Sequence, residues 1–378
     1  MTERLIVGNL DCETGFAAQS LSSVAPATLP RPVLENISAA ATLLRVFCTE
    51  KDRLWTPLPV DAGRLTGPPE LARPTLAEGP LSAAEQEVEV LAWGETEAVA
   101  ALRAGRPVAQ PYREDAPLAG RLWSLPEASA AAAAAVNDKR FCQQLREKLG
   151  LALPASRIIK NTAELEEHLE NSSGCPELSG GWVLKAPFSA AGRLRLIAEG
   201  PGAGELELKR ARNLFETHGA LVFEPWLERT ADFGFCALVL KERNVLLGPH
   251  GLETDVQGRF RGLAFSPSST GNLPGLETVV DAAADAAREE GYLGPLEVDC
   301  WSWRDSGGDE HFHPLGEINA RGSFGLVGRA IIETLGKGTG WSSREPVRLI
   351  IGPHQLRDDS AEAIELLSPA EPDGCGAW

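Results

Sequence analysis

Residues 294–325 constrain the fold most. Two stretches there keep the two-residue alternation of β-strands, and each carries acidic or amide side chains on one face. The first reads GPLEVDCWSW, from Gly294 to Trp303. The second reads HPLGEINARGSFG, from His313 to Gly325. Strand residues i and i+2 project to the same side. Glu297 therefore shares a face with Asp299, and Glu317 with Asn319. Arg321 follows where small residues turn the chain. A carboxylate and an amide oxygen meeting beside a guanidinium suit Mg²⁺ and a phosphate chain.

The 378 residues suffice for two or three domains. Residues 1–125 contain short buried strands in RLIVGNLD, LLRVFCTEKDRLWTPL, EVEVLAWG and RPVAQP, separated by Pro-rich loops. No GxGxxG follows the first strand, so this segment carries no dinucleotide fingerprint. Beyond residue 126 the composition shifts to helix formers. Residues 126–150 read as helical, with Asn137 or Asp138 capping the second half and Gly150 past its end. The strand ASRII and the helix TAELEEHLE follow. GGWVLKAPFSAAGRLRLI then reads as strand, small-residue loop and strand. The helix of GELELKRARNLFETHG comes next, and ALVFEPWL and FGFCALVLKERNVLLGPHGLET supply antiparallel strands. A further helix, GLETVVDAAADAAREEG, leads into residues 294–325. The tail, 346–378, shows no motif.

A net charge of −17 argues against general nucleic-acid binding, which needs a basic face, and against docking on an acidic membrane. Seven dispersed cysteines without a CxxC pair argue against a zinc site or a disulfide framework. They read as reduced thiols of a cytoplasmic protein. The N-terminus has no signal-peptide pattern, and no apolar run is long enough to span a membrane. There is no GxSxG, and no cysteine has an evident His partner in the sequence.

Four elements thus stand in a fixed order: Lys185 ending a strand before APFSAAGR, Glu224 ending another in LVFEPWLERTAD, Asp299, and the Glu317–Asn319–Arg321 set. This succession resembles the ATP-grasp superfamily over roughly residues 126–345. The resemblance implies an α+β / α/β protein, with two α+β lobes holding ATP after a small α/β domain. The expected division is 1–125 for that first domain, 126–200 for the small lobe, 201–345 for the large lobe and 346–378 for the tail.

The resemblance also implies roles. Lys185 and Lys139 would contact phosphates, and the loop holding Ser189, Ala190 and Gly192 would bring backbone N–H groups to them. That loop has one glycine where members often have several. Glu224 would face the adenine amino group, with the backbone near Trp226 and Leu227 at the ring edge. Asp232, or alternatively Glu228, would hold the ribose. Asp299, Glu317 and Asn319 would bind Mg²⁺, two ions being expected and Mn²⁺ an alternative. Arg321 would hold the transferring phosphoryl group or a substrate carboxylate, making Arg321 and Lys185 the catalytic pair.

Glu297 is open between substrate contact and an ion pair. His311 and His313 form an HxH read as a loop or supporting pair, and Arg193 and Arg195 either steer anions or stay solvated. The implied reaction joins a small-molecule carboxylate to an amine with conversion of ATP to ADP and phosphate. The alternatives are a small-molecule kinase and a nucleotide-binding module without turnover. No nucleic-acid or membrane partner is expected, and a homodimer is left open.

Overall fold

The computed structural model describes residues 4–20, 29–79, 88–103, 112–126, 128–189, 194–255, 260–266, 273–339, 346–353, 363–371 and 374–378. The expected strand RPVAQP, residues 106–111, lies outside them.

A first sheet is wholly parallel. It contains β1 (Arg4–Val7), β2 (Arg53–Trp55), β3 (Thr75–Ala77) and β4 (Glu89–Ala92) in the order β3-β2-β1-β4. Alternation sets its two faces: Leu5 and Val7 pack with Val99 and Leu102, while Ile6 and Leu54 join the main core.

The second sheet is antiparallel. It holds β5 (Arg157–Ile159), β6 (Trp182–Lys185), β7 (Arg195–Ala198) and β8 (Leu221–Pro225), ordered β5-β8-β6-β7. The helices Thr162–Asn171 and Glu205–His218 accompany it, and its own core is built on Trp182 and Phe223, whose rings stack with centroids 5.6 Å apart.

The third sheet has seven strands: β9 (Glu228–Val239), β10 (Asn244–Thr254), β11 (Phe260–Phe265), β12 (Gly294–Arg304), β13 (Glu310–Asn319), β14 (Val347–Gly352) and β15 (Gly376–Ala377). Their order is β13-β12-β9-β10-β11-β14-β15. The tail, without a motif in sequence, thus adds two strands to this sheet. It also meets the first domain, where Arg64 donates to the carbonyls of Ser368 and Cys375 at 2.8 Å each.

Two helices place the site. Ala130–Asn137 and Lys139–Leu149 are separated by Asp138, whose Oδ1 accepts from Arg140 N at 2.8 Å and caps the second helix. Gly150 ends that helix in the left-handed region at φ 68°. Asn137 makes two bonds to Ala320, Nδ2 to the carbonyl at 3.0 Å and Oδ1 from the amide at 3.1 Å. The Asn137 side chain thereby pins the break between the helices to the end of β13. Among the described residues no helix is long and apolar enough to cross a membrane.

Candidate active site

β12 and β13 pair so that Asp299 stands opposite Glu317 and Glu297 opposite Asn319. The four polar side chains that strand alternation put on faces become one cluster through this register. Asn319 Nδ2 donates to Asp299 Oδ2 at 3.2 Å, and its Oδ1 accepts from Arg321 Nη2 at 2.9 Å. Burial, then the charges of Glu297 and Glu317, push the Asp299 carboxyl well above its ordinary pKa. Glu317 goes the other way. Burial would raise its pKa, but the ammonium of Lys139, followed by Lys185 and Arg321, holds it below the usual carboxylate range.

Lys139 is the hub between helix and sheet. Its Nζ pairs with Glu317 and donates to the Ser189 carbonyl at 2.9 Å, while its backbone N–H donates to Pro187 O at 3.0 Å. The loop after β6 is therefore tied to the acidic strand end through one residue. Ser189 lies at the described edge of that loop; Ala190, Gly192 and Arg193 lie outside the described residues.

Lys185 does not stand free. Its Nζ lies 2.5 Å from Glu224 Oε2, and Arg146 Nη2 lies 2.7 Å from Glu224 Oε1. Glu224 is buried, which would raise its pKa, but the charges of Lys185 and Arg146 outweigh burial and depress it strongly. Burial lowers the pKa of Lys185. In this structure the Glu224 carboxylate is thus engaged by two cations. Trp226 donates its backbone N–H to Gly181 O at 2.9 Å, and the guanidinium of Arg195 lies 5.4 Å from its ring centroid. Leu227 packs with Leu153, Trp301 and Trp303. Asp232 accepts from Arg229 Nη1 at 3.0 Å and Thr254 Oγ1 at 3.2 Å, whereas Glu228 is exposed at the far end of β9.

Several residues at this site escaped the sequence reading. Arg146 sits in the helix Lys139–Leu149, fully buried, with nothing local to mark it. Glu13, at the start of the helix Cys12–Ser20, accepts from Arg321 Nε at 2.7 Å and so links the first domain to the motif. Trp301 follows Asp299 by two residues. Its ring has the Arg229 guanidinium 3.9 Å and the Lys185 Nζ 5.9 Å from its centroid. Trp301 lies where a side chain at Gly316 would be, so that strand glycine was its one visible signal.

The two histidines of the HxH differ. His311 Nε2 lies 2.9 Å from Asp305 Oδ2, and its ring stacks on Trp303. His313 is buried against Trp301, with centroids 4.7 Å apart. Burial, then the Arg146 charge, takes its pKa down to about 3. A base with a depressed folded pKa leaves the unfolded chain binding more protons. Its contribution is therefore present above the ordinary value of 6.5 and is lost as pH falls towards 3. His313→Phe keeps a ring against Trp301 without that titration. Denaturant melts from neutral to acid pH should show the variant losing less stability than the parent, by a difference on the order of 4 kcal/mol.

No protein-family model matches the sequence, and no curated protein matches it. Solved structures do. N5-carboxyaminoimidazole ribonucleotide synthetase from Thermus thermophilus is similar at TM-score 0.53 and 15% identity, over 99% of this chain and 92% of that one. The chain has the ATP-grasp fold. Phosphoribosylamine–glycine ligase from Thermotoga maritima is similar at TM-score 0.52 and 14% identity, over 99% of this chain and 89% of that one. N5-carboxyaminoimidazole synthetase from Staphylococcus aureus, in complex with ADP, is similar at TM-score 0.51 and 10% identity, over 93% and 82%. Within this ATP-grasp fold the second sheet runs on through β8, Leu221–Pro225, past the division expected at residue 200, and β14 and β15 of the tail join the third sheet.

Proposed function

We propose that the protein is an ATP-dependent ligase that activates a small-molecule carboxylate as an acyl phosphate and joins it to an amine. The observation that carries this reading is the cross-strand pairing of Asp299 with Glu317, bridged by Lys139 to the loop after β6. Such a site supplies hard oxygens for a divalent cation and ammonium groups for phosphates. The neighbours named above are a ligase and two synthetases, one of them complexed with ADP, and they support the same class.

The donor set fits Mg²⁺. Burial and the neighbouring carboxylates of Glu297 and Glu317 push the Asp299 carboxyl up, a conflict a divalent cation would relieve. Asp299, Glu317 and Asn319 would hold the metal, as two ions with Mn²⁺ as substitute. The metal would neutralise charge on the phosphoryl oxygens. Lys185 and Lys139 bind the phosphate chain, which competes with Glu224 and Glu317 for them. Ser189 and the residues after it, Ala190 and Gly192 among them, cover it. Trp226, Leu227 and Glu224 border the base, Asp232 takes the ribose, and Arg321 orients the phosphoryl group or the substrate carboxylate.

In the first step a carboxylate oxygen attacks the γ-phosphorus and ADP leaves. In the second, the amine nitrogen attacks the acyl carbon, phosphate leaves, and the nitrogen loses a proton. The protein contributes positioning and electrostatics, because the acyl phosphate is already activated. The segments expected from sequence, 1–125, 126–200 and 201–345, carry acceptor, phosphate-loop and metal functions in that order, with 346–378 completing the large sheet. Free cysteines at all seven positions suit a reducing cytoplasm.

Incubation with Mg·ATP and pooled carboxylates and amines, followed by phosphorus NMR, tests the reading. ADP and free phosphate that depend on both pools are expected. A new phosphorylated compound with ADP and no free phosphate would make the protein a kinase. Untouched ATP across broad pools would favour a nucleotide-binding module.

A further inference from the structure

Among the described residues one group of His, Cys and acidic side chains has its donor atoms close enough to share a metal ion. It consists of Cys236 on β9, His250 on β10 and Glu297 on β12. These strands are neighbours in the sheet. Glu297 stands directly opposite Cys236, and His250 opposite Gly234, two residues away and so on the same face. The missing side chain at Gly234 makes the room. A Cβ there would lie 2.5 Å from His250 Nε2, and one on Gly325 would run into both His250 and Glu297.

The spacing is that of a coordination shell. Cys236 Sγ lies 3.2 Å and His250 Nε2 3.4 Å from the same oxygen, Glu297 Oε2, and the three donor atoms all fall within 4.8 Å of one another. Around a tetrahedral Zn²⁺ with bonds of roughly 2.0–2.3 Å, ligand atoms stand roughly 3.3–3.6 Å apart. Ser323 Oγ, 2.6 Å from Glu297 Oε2 and 3.7 Å from Cys236 Sγ, offers a fourth corner. All four residues are buried. His250 is wholly so; its Nε2 faces Glu297 Oε2 at 3.4 Å, short of full hydrogen-bond geometry, and its Nδ1 has no hydrogen-bond partner among the described residues. An imidazole held this way is a good metal ligand. A thiol, an imidazole and a single carboxylate select zinc-like ions over Mg²⁺.

We propose that Cys236, His250 and Glu297, with Ser323 or a water completing the shell, form a Zn²⁺-class site that clasps β9, β10 and β12 together. Binding replaces the Cys236 thiol proton, which is released to solvent. The site shares Glu297 with the cluster at the Asp299–Glu317 edge, but its donor atoms are its own and it does not depend on the ATP reading. It adjoins that edge, because Glu297 is the cross-strand partner of Asn319.

The probe is Co²⁺, added to chelator-stripped full-length protein in excess Mg²⁺. The expected result is one tightly held Co²⁺ per chain, with a thiolate-to-cobalt charge-transfer band and the visible bands of a tetrahedral shell. Cys236→Ser removes the charge-transfer band and His250→Gln weakens Co²⁺ retention, whereas Asp299→Asn keeps both. Co²⁺ bound without a thiolate band, or a band that survives Cys236→Ser, overturns the proposal. X-ray absorption of the Zn²⁺-loaded parent decides the matter even where the variants fail to fold. One sulfur with nitrogen and oxygen neighbours supports the site, and an all-oxygen shell rejects it.

Discussion

Asp299→Asn and Glu317→Gln are each expected to lower Mg²⁺-dependent ATP turnover about a thousandfold or more, or ~4 kcal/mol of transition-state stabilisation. The two side chains face each other across β12 and β13, so removing either charge halves the paired carboxylates at one point. Stability should respond differently. Asp299 is half-buried beside Glu297 and Glu317, and neutralising it relieves repulsion, so Asp299→Asn should melt at or above the parent's temperature. Glu317→Gln removes the partner of the Lys139 ammonium and should melt lower. Turnover and thermal melts on the same preparations check both statements. Parent-like ATP consumption by both variants would sink the assignment.

The largest stability effect is expected at Glu224. Among the described residues it is the one anion in hydrogen-bonded contact with Arg146 and Lys185, all of them well removed from solvent. Glu224→Gln leaves two cations without a counter-charge. Breaking a buried pair in this way costs about 3–5 kcal/mol, a melting-point drop on the order of 8 °C for a chain larger than a small domain. Arg146→Met leaves the Lys185 pair intact and should cost less. The order of these two variants is itself the test, because a triad that contributed nothing would show no order. The folded pKa of Glu224 is depressed, so its contribution is present above the ordinary glutamate value of 4.5 and is lost as pH falls below it. The Glu224→Gln melt should therefore be flatter in acid than the parent's.

Much of this architecture was legible in the sequence, for local reasons. Strand alternation places Glu297 with Asp299 and Glu317 with Asn319 whatever the strands later pair with. Capping chemistry offers Asn137 or Asp138 as the cap and Gly150 as the stop, and the structure uses Asp138 and Gly150. The stretch after Lys185 reads as a loop from its small residues, and its described part, 186–189, is irregular.

Other features depended on contacts between distant segments. That Glu224 sits between two cations needed Arg146, a helix residue with no distinguishing neighbours. That Arg321 meets Glu13 needed the first domain to lie against the end of β13. The motif-free tail became two strands because β11 left an edge for β14 to pair with.

The sharpest contrast concerns metals. Scattered single cysteines argued against a zinc site, since local motifs such as CxxC are what a sequence displays. Cys236, His250 and Glu297 come from three separate strands, and only sheet order and register bring them to one point. Sequence by itself determined which residues share a face, because backbone geometry repeats every two residues in a strand and every 3.6 in a helix. The tertiary structure alone decided which faces meet, because pairing across a sheet is a long-range choice governed by burial and register.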